Sequence, residues 1–179
     1  TEADEAAFLA VAPPRISLAY LLAVWTGQRK GDLLRLTWTA FDGQHIRLRQ
    51  NKTGKSVVIP VSSDLKAALD AASKDKHAVT ILTTTKGTPW TSDGFDTEWQ
   101  KVRAKAKVTG LTFHDLRGTA VTRLALAGCS EAEIATFTGH SLRDVAAILD
   151  AHYLSRDPRL ADSALSKREA HEKRTKTPN

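Results

Sequence analysis

The sequence predicts an α+β domain, mainly helical, with a small three-stranded antiparallel sheet inserted near one end. Three observations lead there. Apolar residues recur at helical spacing over most of the 179 residues. Two short alternating runs flank a Lys-Thr-Gly turn, and a β-branched run follows at 79–83. Capping residues and glycines then divide the second half into short helices. The hydrophobic share is 41%, about 47% with the ten glycines, which is enough apolar material for a core and excludes a disordered body.

Element by element, Pro13-Pro14 suits a helix start, with Leu18, Leu21, Leu22 and Trp25 at helical spacing until Thr26-Gly27 stops the run. A short helix over 30–36 points Leu33, Leu34 and Leu36 inward. Phe41-Asp42-Gly43-Gln44 turns, 45–50 alternates, Asn51-Lys52-Thr53-Gly54 turns again and 55–61 returns: a β-hairpin with a basic tip. Ser63 can cap a helix over 64–72, and 79–83 supplies the third strand. Thr91 or Ser92 can cap a helix reaching about Lys107, with Lys101, Arg103, Lys105 and Lys107 on it. Further helices are expected over 114–127, over 131–137 capped by Ser130, and from Ser141 (Asp144 in the reciprocal capping position) to about Tyr153. Residues 160–173 are helical by composition, and 175–179 should fray. The expectation is one domain over 1–174 with a frayed tail.

Composition narrows the function. A single cysteine, Cys129, excludes a disulfide framework and a cysteine zinc site. No apolar run approaches the roughly 18 residues of a membrane span. Thr1-Glu2-Ala3-Asp4-Glu5 is acidic where a leader would be basic, and an initiator Met is lacking, so a cytoplasmic piece of a longer protein is expected. The net charge of +6 is uneven: −2 over 1–28, +5 over 29–155 and +3 beyond. A positive body suits a polyanionic partner, nucleic acid first among them.

Four polar clusters stand out. In Thr26-Gly27-Gln28-Arg29-Lys30-Gly31-Asp32, Arg29 starts a helix, where guanidinium and backbone N–H groups can meet a phosphate; Asp32 can orient it or favour the helix N-terminus. Alternatively Arg29 is an ordinary surface arginine. The tip lysines Lys52 and Lys55 are solvated charge, or a proton donor reaching into a cleft. In His114-Asp115-Leu116-Arg117, His and Arg at i and i+3 can address one anion. Gly139-His140-Ser141 lies between two short helices and precedes Tyr153, whereas Tyr20 falls in the apolar pattern of its helix. Taken separately, the clusters describe only a basic helical domain.

In order, they resemble the catalytic domain of a tyrosine recombinase, the phage-integrase family. Thr26-Gly27-Gln28-Arg29-Lys30-Gly31-Asp32-Leu33-Leu34 is similar to the family's first arginine motif, with Asp32 at its acidic position. Lys52 stands at the usual hairpin-lysine place, with Lys55 as fallback. Phe113-His114-Asp115-Leu116-Arg117 resembles the His-x-x-Arg motif, Thr138-Gly139-His140-Ser141 the second histidine motif, and Tyr153 the nucleophile. The His140-to-Tyr153 spacer is about one helical turn longer than in commoner members. The family's N-terminal core-binding domain lies outside this stretch, so an isolated catalytic fragment is expected.

The resemblance implies a DNA recombinase acting on double-stranded DNA, as a tetramer on paired sites or a monomer when isolated, in a bacterial or phage setting. Tyr153 would attack a phosphodiester, Arg29 and Arg117 would clamp its oxygens, and His114 would serve as base. His140 would donate to the phosphate, and Lys52 would protonate the leaving 5′-oxygen. No cofactor or metal is implied, and no carboxylate cluster suited to Mg²⁺ is evident in the sequence. A type IB topoisomerase, a non-catalytic DNA-binding module, and an incidental match in a structural protein are the other readings.

Overall fold

Small oxygen-bearing side chains decide where most of the helices begin. The computed structural model describes residues 1–74, 78–152 and 158–176. In chain order these form α1 (Glu2–Val11), α2 (Pro14–Thr26), α3 (Lys30–Leu34), a 3-10 turn (Trp38–Ala40), β1 (His45–Arg49), β2 (Ser56–Pro60) and α4 (Ser63–Ser73). Then follow α5 (Ser92–Ala106), α6 (Asp115–Leu126), α7 (Glu131–Thr138), α8 (Leu142–His152) and α9 (Pro158–Lys176).

The sequence reading lacks α1. The acidic run at its start is a first helical turn, where carboxylates meet the positive end of the helix dipole, and Thr1 and Asp4 close a capping box. Ser62 rather than Ser63 caps α4, and Thr91 caps α5. Ser130 and Glu133 cap α7 reciprocally, as do Ser141 and Asp144 ahead of α8. At α6 the cap position is His114, whose side chain makes no capping bond; the Asp115 carboxylate instead accepts from the Thr112 N–H and hydroxyl. α9 continues to Lys176, past the expected start of fraying.

Among the described residues the sheet has two strands, not three. β1 and β2 pair antiparallel from His45↔Pro60 to Arg49↔Ser56. Residues 79–83 make only isolated bridges, Thr37↔Thr80 and Thr83↔Pro89, with Trp38 N–H donating to Val79 O and Ile81 N–H to Leu36 O. The reason lies in the partner: the chain around Leu36 enters the 3-10 turn at Trp38, leaving too little extended backbone to zip against.

Two apolar clusters form the interior. The larger joins α1 to α5 and the hairpin around Phe8, Tyr20, Phe95, Trp99 and Phe113, whose rings lie 4.5 to 6.2 Å apart in the paired contacts. Tyr20 is 3% exposed, a core residue as its periodicity indicates. The smaller cluster (Val121, Ala125, Ile134, Val145, Leu149) binds α6, α7 and α8 together. The candidate site lies where these two bodies of packing meet.

Candidate catalytic site and its hydrogen-bonded frame

α2 and α7 each end on a glycine in the left-handed region, Gly27 at φ +64° and Gly139 at φ +71°. The two ends are pressed together: a Cβ on Gly27 would lie 2.9 Å from Thr138 Cγ2. The chain leaving one end carries Gln28 and Arg29, and the chain leaving the other carries His140. The Thr138 carbonyl, at the negative end of α7, is the hub. It accepts from Gln28 Nε2 at 3.1 Å, Gln50 Nε2 at 3.0 Å and Arg117 Nη1 at 3.2 Å. Arg117 Nη1 also donates to Gly27 O, so one guanidinium bridges both helix ends. Its Nη2 is buried and has no hydrogen-bond partner among the described residues.

The electrostatics follow from this burial. Desolvation, then the nearby Arg29, pushes the Arg117 pKa down to about 10 against the pull of Asp32 and Asp144, leaving it cationic at neutral pH. His140 is 8% exposed. Burial, then Arg117 and Arg29, holds its pKa down to about 4, so its imidazole is neutral at pH 7. His140 Nδ1 lies 2.7 Å from Thr138 Oγ1, which lies 2.7 Å from Ile134 O. The hydroxyl has one proton. Given to Ile134 O, it makes Nδ1 the donor and Nε2 an acceptor; given to Nδ1, it leaves Nε2–H free to donate. Only the second arrangement serves a phosphate oxygen.

The remaining sequence candidates divide between this frame and the solvent. Arg29 is half-buried at the start of α3, with Nη1 3.4 Å from Gln50 Oε1. Asp32 is buried but makes no hydrogen bond to Arg29; it accepts from Asn51 N–H at 2.9 Å and Arg35 Nη2 at 3.2 Å, tying the hairpin turn to α3. Lys52 is exposed in that turn. Lys55, also exposed, reaches the His140 carbonyl with Nζ at 3.4 Å. His114 is exposed and lines one cavity of about 600 Å³ with Arg117 and His140, walled on another side by Glu2, Asp4 and Glu5 of α1. Tyr153 lies outside the described residues. Among the described residues, no three His, Cys, Asp or Glu side chains come together as a metal site.

Sequence reasoning passed over Gln28, Gln50 and Thr138. All three are polar and essentially inaccessible, at 1%, 0% and 0% exposure. Each stands within or beside a motif already singled out, and that adjacency was the only signal available for them.

A helical domain that aims two arginines and a neutral histidine past a basic hairpin has the catalytic fold of the tyrosine recombinases. The sequence agrees: residues 2–152 match the phage integrase family, and the chain belongs to it. A shufflon-specific DNA recombinase of Escherichia coli is 30% identical over 122 residues, 66% of this chain and 30% of that protein. The integrase of Escherichia phage lambda is 31% identical over 119 residues, 59% of this chain and 33% of that protein. The chain thus matches about a third of the length of these relatives. Among solved structures, a dimer of lambda integrase (75–356) bound to a COC′ core site superposes with a TM-score of 0.74 at 25% identity, covering 86% of this chain and 59% of that one. XerA recombinase shares the fold with a TM-score of 0.76 at 18% identity, covering 93% and 63%.

Proposed function

We propose that the chain is the catalytic part of a site-specific DNA recombinase that cuts and rejoins strands through a 3′-phosphotyrosyl intermediate. The observation that carries this reading is the buried, cationic Arg117, whose Nη2 is unpartnered beside neutral His140 and close to Arg29. A buried donor without an acceptor is costly, and a non-bridging phosphate oxygen would satisfy it. In the proposed reaction the Tyr153 hydroxyl gives its proton to His114, and its oxygen attacks phosphorus. The P–O5′ bond breaks, and the 5′-oxygen takes a proton from Lys52. Arg29 and Arg117 hold the two non-bridging oxygens, and His140 donates Nε2–H. A 5′-hydroxyl of a second strand then reverses the step and releases tyrosine. Lys55 is a second reading for the acid, favoured by its contact with His140 O.

The proposed partners are double-stranded DNA and further copies of the chain, arranged as a tetramer on paired sites. Structures of lambda integrase as a dimer on a core site and as a tetramer on a Holliday junction support that assembly. The proposed setting is the cytoplasm, where such DNA is reached. Among the described residues no helix is long and apolar enough to cross a membrane.

The test is a nicked duplex whose short 5′ fragment diffuses away after cleavage, with an N-terminal DNA-clamping domain fused to the chain to secure binding. A covalent adduct should survive denaturant and EDTA, map to the peptide holding Tyr153, disappear in Tyr153→Phe and persist in Tyr20→Phe. An adduct elsewhere overturns the nucleophile. DNA binding without any adduct leaves a DNA-binding module.

A further inference from the structure

We infer that Gln50 is a positioning residue that sets the lysine-bearing hairpin turn against the arginine–histidine frame; the inference rests on the proposed strand-transfer reaction. Gln50 is the first residue after β1 and is 0% exposed. Its main chain closes the turn, with its N–H donating to Lys55 O and its carbonyl accepting from Gly54 N–H, both at 2.8 Å. Its side chain joins the turn to the rest of the frame. Nε2 donates to Gln28 Oε1 at 2.7 Å and to Thr138 O at 3.0 Å. Oε1 accepts from Thr53 Oγ1 at 2.8 Å and faces Arg29 Nη1 at 3.4 Å.

An amide has two N–H donors and two acceptor lone pairs, and here all four are engaged. The orientation is fixed as well. Rotating the amide by half a turn would set Oε1 against two carbonyl oxygens and Nε2 against a guanidinium. The seat is shaped around the side chain: a Cβ on Gly139 would lie 2.4 Å from Gln50 Nε2. Among the described residues, one side chain therefore touches every separate segment that brings a candidate group to the site except α6, and it reaches α6 through the Thr138 carbonyl shared with Arg117. Its shortest tie to the lysine turn is the Thr53 hydroxyl, one residue from Lys52 and two from Lys55. Losing that tie should degrade delivery of the proton to the leaving oxygen more than binding of DNA, since displacing a reacting group by about 1 Å can cost a hundredfold in rate.

The experiment uses two nicked strands, one ordinary and one with sulfur in place of the bridging 5′-oxygen, whose thiolate leaves without a proton. The chain with its fused clamping domain should form the Tyr153 adduct on both. Gln50→Met keeps the length of the side chain but none of its hydrogen bonds. It should slow adduct formation at least about tenfold on the ordinary strand and come within about threefold of the parent on the sulfur strand. Thr53→Val removes one exposed hydroxyl, folds without difficulty and should show a smaller loss with the same rescue; it decides the matter if Gln50→Met melts below the assay temperature. A merely structural role would slow both strands equally. Equal losses on both strands, or no loss on the ordinary strand, overturn the inference while leaving the strand-transfer reading intact. No adduct from the parent on either strand overturns that reading, and the inference with it.

Discussion

The site is assembled from two regions of opposite character. Around the Thr138 carbonyl, Gln28, Gln50, Thr138 and Arg117 are all buried and bonded to one another across four separate segments. At the hairpin tip, residues 51–56 are all exposed, and the turn is tied back chiefly by Asn51 N–H on Asp32, Thr53 on Gln50 and the main chain of Gln50. The difference matches two chemical tasks. Holding charge on a phosphate needs donors that do not reorganise, and Arg117, locked by the carbonyls of two helix ends beside a saturated amide, supplies one. Delivering a proton needs a group that water and the substrate can both reach, and an exposed turn supplies that.

If this division is right, removing a charge from each region should separate the tasks. Arg117→Met should lower cleavage by at least about a hundredfold, the scale for losing a preorganised donor in the transition state, with no recovery on the sulfur strand. Burial and Arg29 work against the Arg117 charge, but its guanidinium also satisfies Gly27 O and Thr138 O; the two effects oppose, so thermal melting should show Tm moving by no more than about 2 °C. Lys52→Met should lower cleavage on the ordinary strand comparably, recover on the sulfur strand and leave Tm unchanged. Recovery of Arg117→Met, or recovery of Lys55→Met in place of Lys52→Met, would redraw the division.

The glycines sharpen it in stability. Gly139 and Gly54 both have positive φ, +71° and +68°, so alanine at either carries a left-handed penalty of about 1 kcal/mol. At Gly139 the new methyl also collides with Gln50 at 2.4 Å; at Gly54 the nearest atom is Arg49 Nη2, 3.7 Å away. Denaturant unfolding should give about 3 to 4 kcal/mol for Gly139→Ala and about 1 for Gly54→Ala. Similar values would mean that the frame yields as readily as the tip.

What could be read in advance also follows the division. The hairpin, α2, α5, α7 and α8 were legible because alternation, helical spacing and capping residues are local signals. Residues 79–83 carried a strand's composition, but pairing depends on a partner that runs straight, and the 3-10 turn at Trp38–Ala40 denies it one. The acidic start of α1 gave no helix signal because its apolar anchor, Phe8, makes sense only against Tyr20 and Trp99. Arg29, His114, Arg117 and His140 stood out as charged or titratable groups at odd places. Gln28, Gln50 and Thr138 did not, because an amide or hydroxyl declares its role only through distant partners: Gln28 meets a carbonyl 110 residues away and Gln50 one 88 away. Of the two roles open to Asp32 in the sequence, the bond to Arg29 is not the one formed, because Asn51 N–H and Arg35 occupy that carboxylate.

The frame also makes a claim on pH that the tip does not. His140 is kept neutral in the folded chain with a pKa of about 4, whereas an exposed imidazole titrates near 6.5. Between these values the unfolded chain binds more protons than the folded one, so acidification draws the equilibrium toward unfolding. The loss begins as pH falls through about 6.5 and is complete below about 4, and it amounts to at most about 3 kcal/mol. His140→Gln fills similar space without titrating, so denaturant unfolding across this window should give a visibly flatter curve for it than for the parent. Equal slopes for parent and His140→Gln would mean that His140 titrates like an exposed histidine. Arg117 and Arg29 would then not be fixed beside it, and the contrast between a rigid frame and an exposed tip would fail at its most buried point.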